Sequence, residues 1–216
     1  EEEEGWAWGQ LERDSYVGYL PASALAPQPI VSTHRVAARA TFVYPAANMK
    51  LPPLATLPFG AEVAVVETSG DFARLSRGGF VFARHLAKTG DRDADFVAVA
   101  ETMLGTPYLW GGKTPAGLDC SGLVQVSLHA AGKTAPRDTD MQARELGAPL
   151  AFGEDLPALR RGDLVFWKGH VAIVTDDGQT ILHASGATMD VTREPLNGAI
   201  ERIARLYGLP TSYRRP

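Results

Sequence analysis

A single cysteine, Cys120, stands in Asp119-Cys120-Ser121-Gly122, and residues 123–131 after it read as an amphipathic helix stopped by Gly132. A thiol at a helix start is a candidate nucleophile, because backbone N–H groups there lack intrahelical acceptors and, with the helix dipole, favour the thiolate. The glycine-rich stretch 105–112 approaches it and carries Tyr108, whose hydroxyl is expected near the sulfur. Two histidines follow, His170 and His183. Asp177-Gly178 is a hairpin signal between the alternating runs 170–175 and 180–185. That turn sets 174 opposite 181, 172 opposite 183 and 170 opposite 185, so the two histidines become diagonal neighbours on one face. One imidazole then takes the thiol proton while the other fixes its tautomer, and the expected resting state is a thiolate–imidazolium pair.

Other readings of these residues weigh less. A lone cysteine with no context is a small buried hydrophobe. One Cys and two His fall one ligand short of a structural zinc site, so neither metal nor cofactor is expected. His34, His85 and His129 carry no motif and read as surface or packing residues.

The elements that must position this chemistry lie in the second half of the chain. Phe96, Val99, Ala100, Met103 and Leu104 recur at helical spacing behind Asp93 or Asp95 as N-cap, with Gly105 ending the run. The Cys120 helix follows, then a short helix near 139–146, strands near 163–167, 170–175 and 180–185, and a last helix near 196–206.

The first half reads as small β units. Trp8, Leu11, Arg13, Tyr16 and Val17 recur 64 residues later as Phe72, Leu75, Arg77, Phe80 and Val81. The second copy, from about His34 to Lys88, has strand-like runs at 36–37, 41–43, 62–66, 72–76 and 79–82, with a proline-rich loop among them. The first copy shows only its final strands; either its earlier strands fall outside this sequence or residues 1–30 add to the second unit. Short strands punctuated by Pro and Gly resemble bacterial SH3-like barrels. Trp6, Trp8, Tyr16 and Phe80 are expected in barrel core, with Tyr16 and Tyr19 kept as minor candidates for contact with a ligand groove. The expected domains are 1–30, the end of a first barrel; 31–90, a second barrel; and 91–216, an α+β domain holding Cys120.

Composition agrees with an enzyme. In 216 residues, 45% are hydrophobic and 21% charged, with a net charge of -4, enough for a core but without the basic face that nucleic acid requires. No stretch approaches the roughly 18 apolar residues of a membrane-spanning helix, and residues 1–20 lack the pattern of a signal peptide. No self-complementary stripe stands out, which leaves a monomer as the default.

Six segments together carry a family resemblance. Gly105-Thr106-Pro107-Tyr108-Leu109-Trp110-Gly111-Gly112, Leu118-Asp119-Cys120-Ser121-Gly122-Leu123-Val124, Pro136-Arg137-Asp138-Thr139, Arg161-Gly162-Asp163-Leu164-Val165-Phe166-Trp167, Gly169-His170-Val171 and Leu182-His183-Ala184 resemble the successive motifs of NlpC-like cell-wall cysteine peptidases. The resemblance spans about residues 93–206 and implies a papain-like α+β catalytic domain behind SH3-like barrels. It implies hydrolysis of the γ-D-glutamyl to diamino acid bond of peptidoglycan stem peptides, with meso-diaminopimelate or L-Lys as the diamino acid. Cys120 would be nucleophile, His170 base and then acid, His183 the orienting residue and Tyr108 an oxyanion support. Asp119, Ser121, Trp110, Asp138 and Thr139 would line the groove; Asp119 would counter a substrate amine and Arg137 would steer a carboxylate. Thr139 stands where the family more often has serine. In relatives with SH3-like units the barrel closes one end of the groove, so released peptides with free N-terminal L-Ala are the expected substrates. Cytoplasmic recycling fits that expectation, with a periplasmic or secreted setting as the alternative. Two rival functions remain: a non-catalytic cell-wall binding protein, and a papain-like hydrolase of another amide or of a lipid ester.

Overall fold

The computed structural model describes residues 2–26, 28–153, 156–175 and 178–216. Asp177 of the expected Asp177-Gly178 turn lies outside the described residues. The chain divides into two compact units, Glu1–Asp91 and Arg92–Pro216.

The first unit is all β apart from two short 3-10 turns. Strands β1 (Glu2–Glu3), β2 (Trp6–Gln10) and β3 (Val17–Pro21) form one antiparallel sheet. The remaining strands are β4 (His34–Val36), β5 (Ala40–Val43), β6 (Ala55–Pro58), β7 (Glu62–Val63), β8 (Val65–Ser69), β9 (Phe72–Leu75), β10 (Phe80–Phe82) and β11 (Leu86–Lys88). They pair as β10-β9-β8, β11-β4-β7 and β5-β6, around a core of Val43, Leu75 and Val81 packed by Leu57, Val63, Val65 and Leu86. This is the SH3-like pattern of short, curved antiparallel strands. The 64-residue repeat corresponds to two hairpins, β2-β3 and β9-β10. Among the described residues β1, β2 and β3 pair with no other sheet, so residues 1–30 do not extend the sheets of 31–90. The aromatic expectation needs correction: Trp6, Trp8 and Tyr16 are exposed rather than core, because a three-stranded sheet leaves one face uncovered. Strand β6 was hidden in the proline-rich loop, whose Pro58 sits at a strand end.

The second unit is α+β and papain-like. Helix α1 (Phe96–Glu101) begins at Asp95, whose carboxylate accepts from the N–H groups of Val97 and Ala98 at 2.8 and 3.3 Å, an N-cap. After β12 (Lys113–Thr114) and β13 (Gly117–Leu118) come α2 (Cys120–Ala130) and α3 (Thr139–Glu145). A six-stranded antiparallel sheet follows, in the order β14-β19-β15-β16-β17-β18. Its strands are β14 (Ala148–Pro149), β15 (Leu164–Trp167), β16 (His170–Val174), β17 (Thr180–Ser185), β18 (Asp190–Pro195) and β19 (Ser212–Arg215), with α4 (Leu196–Tyr207) between the last two. The near-continuous apolar runs of β15, β16 and β17 are buried on both faces. Helix α4 lays Leu196, Ala199 and Ile203 on one face, against Val165, Trp167, Ala172, Val174 and Ile181. No helix among the described residues is long and apolar enough to cross a membrane.

Candidate active site

Two strands and two helices bring the site together. In the β16-β17 hairpin, Val174 pairs with Ile181 and Ile173 with Leu182, the register that puts 170, 172, 181 and 183 on one face. His170 Nε2 lies 2.7 Å from His183 Nδ1, the rings edge to face. Cys120 is the first residue of α2, and its Sγ lies 4.0 Å from the carbonyl of Gly169, next to His170, and 3.7 Å from Thr139 Oγ1. With Nε2 of His170 given to His183, Nδ1 is the nitrogen left for the thiol. Helix α3 is placed to deliver Thr139 because Gln142 Nε2 donates to the carbonyls of Ser121 and Pro136 at 3.0 and 2.9 Å.

The glycine stretch is locked to α2 through backbone. A Cβ on Gly122 would stand 2.2 Å from the Gly112 carbonyl oxygen, a separation no side chain survives, so both glycines serve close approach. Asp119 fastens the junction. Its Oδ1 accepts from the Gly122 N–H at 2.7 Å and its Oδ2 from the Gly111 N–H at 2.8 Å, while Arg137 bridges the two oxygens at 3.0 and 2.6 Å. Arg137 also donates to Ser121 Oγ at 2.9 Å. Asp119 and Arg137, expected to counter a substrate amine and to steer a carboxylate, are both buried and paired with each other. Ser121 is likewise buried within this network. Trp110 is 84% exposed, and Asp138 occupies the N-cap position of α3 without a side-chain cap bond. Thr139 faces the sulfur.

Burial shifts the titration of both candidate partners. It pushes the Cys120 thiol up, against the lowering pull of the Thr139 hydroxyl and the Val171 and Ser121 N–H groups. His170 keeps part of its ring surface open, but the protein packed around it, and next the neighbouring imidazole of His183, hold it down to about 3. Burial therefore works against charge on both the thiol and the imidazole, so a thiolate–imidazolium pair here depends on the attraction between its two members. Tyr108, half-buried, is pushed up by burial first and then by the negative ends of Cys120 and Asp119, which keeps its hydroxyl a donor at neutral pH.

One acidic residue near the site was not expected. Glu194 Oε1 lies 2.9 Å from His183 Nε2, and that buried nitrogen has no other partner. Arg202 on α4 clamps both Glu194 oxygens. His183 and Arg202 hold the Glu194 carboxyl down to about 2. The signal lay in register: His183 pairs with Thr192, which makes Glu194 its diagonal neighbour on the same face. No group of three or more His, Cys, Asp or Glu side chains among the described residues is arranged to hold a metal.

Residues 105–203 match the model of the NlpC/P60 family, and residues 1–25 match that of the bacterial dipeptidyl-peptidase SH3 domain. The chain is 32% identical over 167 residues to a γ-D-glutamyl-L-lysine dipeptidyl-peptidase of Bacillus cereus, covering 73% of this chain and 48% of that one. It is 39% identical over 90 residues to dipeptidyl-peptidase 6 of Lysinibacillus sphaericus, covering 41% of this chain and 31% of that one. The chain thus spans about half the length of the first relative and about a third of the second. The crystal structure of an NlpC/P60 family protein from Bacillus cereus superimposes with a TM-score of 0.73 at 22% identity, covering 99% of this chain and 77% of that one, a likeness of fold.

Proposed function

Because the chain carries a domain of the NlpC/P60 family behind an SH3-like region, we propose that it is a cysteine peptidase cutting the γ-D-glutamyl to diamino acid bond of peptidoglycan stem peptides. The observation that carries the reading is Cys120 at the first position of α2, beside the start of the strand on which His170 is hydrogen-bonded to His183. As Sγ attacks the γ-carbonyl carbon of D-Glu, His170 Nδ1 takes the thiol proton. The oxyanion meets the backbone N–H of Cys120, which has no acceptor within the helix, and the Tyr108 hydroxyl; one such donor is often worth about 10²–10³ in rate. Collapse breaks the C–N bond, and the imidazolium gives its proton to the departing amine of the diamino acid. Water, deprotonated by His170, then hydrolyses the γ-glutamyl thioester and frees the thiol.

The names of the relatives support a finer reading. A dipeptidyl-peptidase releases two residues from a free N-terminus, so the substrate is a released peptide beginning L-Ala-γ-D-Glu rather than intact wall. Incubating the full chain with L-Ala-γ-D-Glu-L-Lys and its meso-diaminopimelate counterpart tests it. Release of L-Ala-γ-D-Glu is the expected result, whereas sacculus binding without product, or turnover of lipid esters alone, would replace the proposal.

A further inference from the structure

The Nε2 of His183 is buried and faces only the Glu194 carboxylate, 2.9 Å away, and Arg202 clamps that carboxylate in turn. A carboxylate accepts and never donates at neutral pH. Nε2 of His183 therefore keeps its hydrogen, and Nδ1 of the neutral ring is left as a lone pair. Across the 2.7 Å contact the donor must then be His170 Nε2–H, which leaves His170 Nδ1 unprotonated, as a base for Cys120 requires. We propose that Glu194 is a positioning residue that sets the tautomers of both histidines and stabilises the imidazolium formed when His170 takes the thiol proton. This deepens, and rests on, the cysteine peptidase reading.

The groups around this relay come from every element packed on it. Arg202 faces it from α4 and opposes the imidazolium, while Glu194 from β18 favours it. Tyr108, Asp119 and Thr139 adjoin the thiol end. None of these replaces the carboxylate at His183 Nε2.

Alkylation of Cys120 by iodoacetamide, followed against pH, reads the relay without a substrate, since Cys120 is the single thiol. Glu194→Gln keeps the shape but offers a weaker, uncharged acceptor. Its alkylation midpoint should rise by about one pH unit, lowering the rate at pH 7 about tenfold. On a stem peptide kcat should fall at least about tenfold with KM within about twofold, and Glu194→Asp should recover part of both. Arg202→Met should shift the midpoint by less than about half a unit toward lower pH, because the cation it removes opposes the imidazolium. Unchanged alkylation and rate profiles in Glu194→Gln, with wild-type circular dichroism, would overturn the proposal. If Glu194→Gln does not fold, Glu194→Asp and Arg202→Met carry the test. Should the wild type cleave no stem peptide, the functional reading fails while the alkylation profiles still decide the role of Glu194.

Discussion

His170 and Glu194 tie the chemistry of the site to the stability of the fold. His170 sits at about 3 in the folded protein against an ordinary 6.5, so across that window the unfolded chain binds the extra proton. Its contribution is intact above about pH 6.5 and is lost as pH falls toward 3, at up to about 1.4 kcal/mol per pH unit. Glu194, held down to about 2 against an ordinary 4.5, adds loss only below about pH 4.5. Urea unfolding should therefore weaken steadily from pH 6.5 downward and more steeply below 4.5, and His170→Gln should flatten the upper part. Arg137→Ala leaves the Asp119 carboxylate buried without its partner and should cost about 3–5 kcal/mol in the same measurement. Cys120, His170 and His183 were legible because a thiol at a helix start and a two-stranded register are arithmetic on spacing. Glu194 was not. The β17-β18 turn spans residues 186–189 and closes with Met189 in the left-handed region at φ 60°, a position that glycine or asparagine would have announced.

Helices and central strands could be read because their periodicity is strong, and the edges could not. Asp95 caps α1 as expected, and α4 spans one residue more than the pattern gave. Strand β19, Ser-Tyr-Arg-Arg, looks like a polar tail, yet it lies inside the sheet between β14 and β15. Tyr213 is buried, and Arg215 forks onto the buried Asp163 at 2.6 and 2.7 Å. An ion pair made over 52 residues leaves no local pattern. Beside Cys120, Gly122 meets the Gly112 carbonyl with no room for a Cβ. Gly122→Ala should push α2 away from the glycine stretch and misplace the thiol. A fall in kcat/KM of about a hundredfold is expected, accompanied by a lower melting temperature; an unchanged rate would show that the start of α2 can shift without harm.

Across the molecule, the family and the α+β-with-SH3-like architecture were legible because several motifs occur in order and the hairpin pattern occurs twice. What the first unit contributes was less legible, since exposed Trp6, Trp8 and Tyr16 have the same composition as a core. If the substrate is a released peptide, its free amine must be recognised. N-acetylation of L-Ala-γ-D-Glu-meso-diaminopimelate should then lower kcat/KM at least about a hundredfold, the cost of leaving a polar site unpaired. Equal turnover of blocked and free peptide would place cleavage within longer wall strands instead.

Mass spectrometry of the products from L-Ala-γ-D-Glu-meso-diaminopimelate, with the full chain and with Cys120→Ala, tests the central claim most directly. The expected result is L-Ala-γ-D-Glu and free diaminopimelate from the wild type, and intact tripeptide from the variant. Undiminished cleavage by Cys120→Ala would contradict the cysteine mechanism, and cleavage at any other bond would contradict the assignment of the γ-D-glutamyl linkage.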